Sequence, residues 1–113
     1  MRVNIDDLDW DKMNNLIPVV TQESNTKEIL TLGFLNKEAL EKTFETGYAY
    51  YYRRSHGKVM KKGFTSGNVQ KIVKILTDCD NDAIVFIVEQ NGPACHLGER
   101  TCFHKKVTRE RSY

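Results

Sequence analysis

The sequence predicts an α+β domain: a small mixed or antiparallel sheet with one or two short helices. Three observations lead there. Apolar and aromatic runs of strand length recur between polar or glycine-containing turns. Only one segment combines a clear 3.6-residue apolar period with signals at both ends. Strands and helix do not alternate in the βαβ order of a parallel sheet. At 113 residues the chain is expected to form a single domain over 1–113. A chain of that length buries about two-thirds of its unfolded surface, enough for one modest core.

The elements follow in order. Leu16–Thr21 and Glu28–Phe34 read as strands joined by the polar turn Glu23–Ser24–Asn25–Thr26. Asn36 is a good N-cap for a helix over Lys37–Thr46, whose Ala39, Leu40 and Phe44 share a face, and Gly47 stands where a C′ glycine belongs. Tyr48–Arg53 is aromatic and strand-like, and His56–Gly57 turns the chain into a second strand around Lys58–Lys62. Asn68–Leu76 is ambiguous: Val69, Ile72, Val73 and Leu76 suit a helix, but its β-branched content suits a strand. Ala83–Glu89 is the most apolar segment and is expected to be a central strand, closed by the turn Gln90–Asn91–Gly92–Pro93. Trp10 reads as core cover.

Apolar residues at 40% and charged residues at 28% exclude a disordered or collagen-like chain. No apolar run approaches the roughly 20 residues of a membrane span. The acidic first fifteen residues lack the apolar stretch of a signal peptide. A cytoplasmic protein without a membrane partner is therefore expected. Net charge is only +2, but it is unevenly spread. Between Glu45 and Asp78 no acid interrupts Arg53, Arg54, Lys58, Lys61, Lys62, Lys71 and Lys74. That window reads as a local anion site rather than a nucleic-acid coat, or more plainly as a solvated basic face.

Candidate chemistry collects in three places. Asp78, Asp80 and Asp82 alternate with Cys79 and Asn81; in an extended chain the three carboxylates would share one face and Cys79 would point away. Three carboxylates on one face repel unless a cation neutralises them, and oxygen ligands suit Mg²⁺ or Ca²⁺. A solvated acidic turn is the plainer alternative. An EF-hand is excluded because its glycine position holds Ala83 and the remainder is an apolar strand.

Cys79, Cys95 and Cys102 form the second place, with His96 beside Cys95. Three cysteines cannot all pair within one chain, and in a reducing compartment thiols more often bind metal or act as nucleophiles. Three thiolates would leave a fourth zinc position for water, the arrangement of a catalytic site, with His96 as general base or fourth ligand. Three buried thiols acting as small hydrophobes are the plainer alternative. The third place, Lys62 to Asn68, combines Gly63 and Gly67 with Thr65, Ser66 and a preceding lysine. That makes a weak phosphate-cradle signal without the Walker A order. Tyr48, Tyr50, Tyr51 and Tyr52 before Arg53–Arg54 would suit a base-stacking platform, but their alternation more simply marks a sheet face.

Taken together, Asp78–Cys79–Asp80–Asn81–Asp82, Gly92–Pro93–Ala94–Cys95–His96–Leu97–Gly98 and Cys102–Phe103 resemble the phosphoribosyl-AMP cyclohydrolase family. Leu16–Ile17–Pro18 with Gln22, Phe34 to Leu40, Thr43 with Thr46–Gly47, and Lys62–Gly63 with Thr65–Ser66–Gly67 follow its pattern in the same order. The resemblance runs from about Trp10 to Phe103. It implies a zinc-dependent hydrolase of histidine biosynthesis that opens the adenine ring of a nucleotide substrate, phosphoribosyl-AMP, between N1 and C6. It implies magnesium on Asp78, Asp80 and Asp82. It implies zinc on Cys95, Cys102 and a Cys79 supplied across the interface of an intertwined homodimer. His96 is expected to transfer protons, and Arg54, Lys62, Thr65 and Ser66 to bind substrate phosphate.

The sequence departs from the family pattern on the substrate side. Arg53–Arg54–Ser55–His56 stands where the family reads Ser-Arg-Ser-Arg, Met60 where it has tryptophan, and Phe64 where it has glutamate. The runner-up reading is therefore a paralogous zinc hydrolase acting on another nucleotide or cyclic amidine. A zinc-stabilised nucleic-acid module comes last, because near-neutral charge and the acidic triad oppose it.

Overall fold

The computed structural model describes residues 1–111; Ser112 and Tyr113, the end of the expected 1–113 domain, lie outside the described residues. A one-turn 3₁₀ helix, Ile5–Asp7, precedes β1 (Ile17–Glu23), β2 (Ile29–Leu35), α1 (Lys37–Thr46), β3 (Tyr50–Arg53), β4 (Lys58–Lys61), β5 (Gln70–Thr77) and β6 (Ile84–Gln90). The main sheet has the order β2-β1-β6-β5, with β1 and β6 parallel and the other pairs antiparallel. The strands β3 and β4 form a separate hairpin. The architecture is thus α+β with a mixed sheet and one α-helix.

Alternation decides which face is covered. β1 and β6 bury every second residue, placing Ile17, Val19, Ile84, Phe86 and Val88 on one inner face. Leu30 and Leu35 of β2 and Ala39 and Leu40 of α1 complete the core. The helix begins and ends where the sequence indicates: Asn36 Oδ1 accepts from the Ala39 N–H at 2.8 Å, and Gly47 closes the last turn at φ 77°. Trp10 packs against the core and its indole N–H donates to the Ile5 carbonyl at 2.9 Å.

Four local readings change. β1 runs on to Glu23 because Gln22 and Glu23 pair with Ile87 and Val88. In α1 the face is turned by one residue: Thr43 is buried and Phe44 is 57% exposed. Thr43 is satisfied there because its hydroxyl donates to the Ala39 carbonyl and accepts from the Tyr50 N–H, tying the helix to β3. The ambiguous segment 68–76 is strand, since β5 pairs with β6 from Gln70 to Thr77. Finally, Asp78 to Asp82 is not extended but forms the turn of the β5–β6 hairpin, with Asn81 at φ 61°.

Two features position the functional region. The Tyr51 ring of β3 packs over β2 at Gly33, where an added Cβ would lie 3.0 Å from the ring. Its phenol donates to Gln70 Oε1 at 2.6 Å and therefore accepts from Thr21 Oγ1 at 2.6 Å, and Gln70 Nε2 donates to Gln90 Oε1 at 2.8 Å. The 62–68 loop turns at Gly63, φ 80°, where a Cβ would stand 2.5 Å from the Asn68 backbone.

Gly57 also has positive φ, but open space surrounds it. Gly57→Ala is therefore expected to cost about 1 kcal/mol of backbone strain, and Gly63→Ala about 3 kcal/mol because the loop backbone must also move. Urea unfolding of the two variants checks this; equal losses would show that the 62–68 loop yields freely.

Candidate active site

The loop that follows β6 brings the second cysteine cluster together. Cys95 N donates to the Glu99 carbonyl, Ala94 N to the Arg100 carbonyl, and Leu97 N to Cys95 Sγ at 3.4 Å. The far end is pinned to β2: Cys102 N donates to the Leu30 carbonyl at 2.8 Å and Thr101 Oγ1 to the Ile29 carbonyl at 2.5 Å. Arg100 adds an ion pair with Glu28 at 2.9 Å and lies 4.0 Å from Glu23, a buried carboxylate. The backbone N–H groups of Gln90 and Asn25 hold the Glu23 carboxyl below the usual range. Cys95 is buried and Cys102 is exposed. Although the residue is exposed, partial desolvation of its thiol pushes Cys102 up, and the Lys62 charge works against that.

This loop lines two cavities, of about 440 Å³ and 380 Å³. Tyr51, Arg53, Lys62, Ala94 and His96 form their common wall. Cys102 and Arg54 belong to the first; Cys95, Thr65 and Ser66 belong to the second. Lys62 is anchored by donating to the Ala94 carbonyl at 2.7 Å, which leaves its remaining protons for the cavities. Arg54 lies flat over the Phe34 ring, 3.8 Å from its centre. The structure thus gathers His96, Arg54, Lys62, Thr65, Ser66, Cys95 and Cys102 around one region.

Cys79 is elsewhere. It sits on the hairpin turn at the start of β6, whereas Cys95 follows the end of that strand, and seven extended residues span roughly 20 Å. Among the described residues the only cluster of three metal-ligating groups is Asp78, Asp80 and Asp82, whose oxygens lie within 4.8 Å of one another. They converge because the chain turns, not because a strand alternates. Asp78 Oδ1 caps the turn by accepting from the N–H groups of Asp82 and Ala83. The Lys12 ammonium pairs with Asp82 and lies 3.9 Å from Asp80. The hydrogen bond from Lys12 holds Asp82 below the usual carboxylate range, whereas Asp82 beside it pushes Asp80 up.

Comparison with known proteins fits this geometry. The sequence profile of phosphoribosyl-AMP cyclohydrolase matches residues 31–104, which run from β2 through both cysteines of the loop. The chain belongs to the phosphoribosyl-AMP cyclohydrolase family. It is 50% identical over 107 residues to the phosphoribosyl-AMP cyclohydrolase of Nitrosopumilus maritimus, covering 95% of this chain and 99% of that protein. It is 49% identical over 107 residues to that of Cenarchaeum symbiosum, with the same coverage. It is 48% identical over 103 residues to the histidine biosynthesis bifunctional protein HisIE of Pyrococcus furiosus, covering 91% of this chain and 49% of that protein.

Within the cyclohydrolase fold, Met60 and Phe64 line the second cavity and Arg53 lines both. His56 lies in the β3–β4 turn, where its Nδ1 is 3.1 Å from Ser55 Oγ. Sequence reasoning missed Lys12, whose partners are 70 residues away and leave no local signal. It also missed His104, whose Nε2 lies 3.9 Å from Cys95 Sγ, although its place two residues after Cys102 offered a Cys-x-His signal. No α-helix of the described residues is long and apolar enough to cross a membrane.

Burial pushes the Tyr51 phenol from 10.0 to about 12. Between those values the unfolded chain has released this proton while the folded chain keeps it, so stability falls as pH rises through that window. Tyr51→Phe is expected to flatten the alkaline fall in stability while lowering stability at neutral pH through lost hydrogen bonds. Chemical denaturation from neutral to alkaline pH checks both, and an alkaline slope equal to that of the unaltered protein would contradict the burial argument.

Proposed function

We propose that this chain hydrolyses 1-(5-phosphoribosyl)-AMP, opening the adenine ring between N1 and C6, a step of histidine biosynthesis. The observation that carries this is the near end-to-end match to a cyclohydrolase, with the Cys95–Cys102 loop lining two cavities. A substrate with a ribose-phosphate arm on each side of its purine suits two cavities that share a wall. Lys62 meets it at that wall, Arg54 offers a guanidinium in the first cavity, and Thr65 and Ser66 offer hydroxyls in the second. Met60 and Phe64 in the second cavity are what favour the paralogue reading, a changed substrate, as the alternative.

The donor set suits two metals. Cys95 and Cys102 would hold zinc together with Cys79 of the partner subunit, because the chain's own Cys79 lies the length of β6 away. The bound zinc supplies a Lewis acid that brings the pKa of a water towards neutrality. Asp78, Asp80 and Asp82 would hold magnesium, their present cation being the Lys12 ammonium.

His96, on the common wall, takes a proton from the attacking water and returns one to N1. The bond from oxygen to C6 forms, the N1–C6 bond breaks, and N1 keeps its ribosyl arm. Homodimer formation supplies the third thiol. Val73 and Leu76, exposed on edge strand β5, supply apolar surface for it.

Zinc- and magnesium-loaded protein is expected to turn over phosphoribosyl-AMP, read as the absorbance change on ring opening, and to stop when zinc is chelated. Zinc-loaded protein that leaves the substrate intact would overturn the assignment. Cys79→Ala and Cys102→Ala are each expected to be inactive. Mixed under exchange they should recover about a quarter of full activity, since half the dimers would carry one complete site. Failure of a mixture shown to contain heterodimers would place all three ligands in one chain.

A further inference from the structure

The lysines and arginines that line the two cavities have partners, with one exception. Lys62 donates to the Ala94 carbonyl at 2.7 Å. The Arg54 guanidinium lies 3.8 Å from the centre of the Phe34 ring, and the Lys61 ammonium 4.7 Å from that of Tyr48. Among the described residues the Arg53 guanidinium has no ion pair, hydrogen bond or ring contact. It is not turned away from the site. Alternation along β3 puts Arg53 on the face that carries Tyr51, and the two residues share the common wall of both cavities. No carboxylate lines either cavity, so the protein itself offers this charge nothing to pair with there.

A guanidinium stays charged at any working pH, and its planar fork of N–H donors matches a phosphate through two parallel bonds. Cations gathered in a cleft without acids raise the local concentration of anions and select an anionic ligand. We propose that Arg53 is a substrate-binding residue whose guanidinium holds a phosphate in the second cavity. This rests on the nucleotide substrate proposed above, whose two ribose-phosphate arms bring two phosphates. The second cavity is favoured because Arg54 lines only the first, which leaves Arg53 as the one arginine of the second. There it joins Lys62 and the hydroxyls of Thr65 and Ser66, so that each phosphate meets one guanidinium. Arg53 grips an arm of the substrate and not the reacting ring, so its interaction is the same before and during ring opening. Losing such an interaction raises KM far more than it lowers kcat.

The test compares the full-length, metal-loaded protein with Arg53→Ser and Arg53→Lys. KM and kcat are measured for phosphoribosyl-AMP, and Kd for AMP, ribose 5-phosphate and adenosine by calorimetry. Arg53→Ser is expected to raise KM about tenfold, with a much smaller change in kcat. It is expected to weaken by a similar factor the one of AMP and ribose 5-phosphate that carries its phosphate into the second cavity, and to leave adenosine binding unchanged. Arg53→Lys, which keeps the charge and loses the fork, is expected to recover only part of the affinity. Unchanged KM together with unchanged Kd for both phosphate probes would overturn the inference. An equal loss of adenosine binding would also overturn it, by placing the effect on the ring or on the fold. If the unaltered protein binds AMP or ribose 5-phosphate but does not turn over phosphoribosyl-AMP, the assigned reaction fails, and the Kd values of the variants alone decide the role of Arg53.

Discussion

The buried phenol of Tyr51 holds the architecture together. The β3–β4 hairpin shares no ladder with the main sheet beyond the bridge from Tyr48 to Lys71, whose backbone bonds join Ala49 to Gln70 and Gly47 to Ile72, so the rest of its docking falls to side chains. Tyr51 supplies that link: its ring lies against Gly33 of β2 and 5.8 Å from the Phe86 ring of β6. Its hydroxyl joins Thr21 of β1 to Gln70 of β5. From Gln70 the chain of hydrogen bonds reaches Gln90, which donates on to the Asn68 carbonyl at 3.3 Å. One side chain therefore ties four strands together and, through Gln90, fixes the loop that walls the second cavity. In a dry interior such a network specifies a unique arrangement only when every member is paired.

Much of the fold was legible in the sequence because local chemistry decides it. Asn36 and Gly47 mark the ends of α1 whatever surrounds them, and the apolar run at Ala83–Glu89 must be covered on both sides. The misreadings occur where tertiary context overrides local pattern. Thr43 displaces Phe44 from the buried face because its hydroxyl has a partner in β3, which no helical period reveals. The segment leading into β5 has residues suited to either state, and only pairing with β6 settles it. The alternation of Asp78, Asp80 and Asp82 suggests an extended chain with one acidic face, yet the turn at Asn81 brings the carboxylates together by another route.

The candidate site divides the same way. Residue type and spacing pointed to the cysteines, to His96 and to the hydroxyls of the 62–68 loop, since soft and hard ligands and phosphate donors are distinguishable by chemistry alone. What spacing could not reveal is which groups meet in space. Cys79 lies the length of a strand from the thiols it was grouped with, and Lys12 meets carboxylates 70 residues away.

The pairing of Lys12 with the acidic hairpin has a bearing on how the molecule matures. Carboxylates crowded into one turn repel one another unless a positive charge lies beside them. Here the chain brings its own positive charge to the turn, and the N–H of Asp9 also bonds the Asn81 carbonyl. The hairpin that presents Cys79 therefore closes on a positive charge carried by the chain itself. A tethered ammonium also stays at high local concentration, since it cannot diffuse away from the turn.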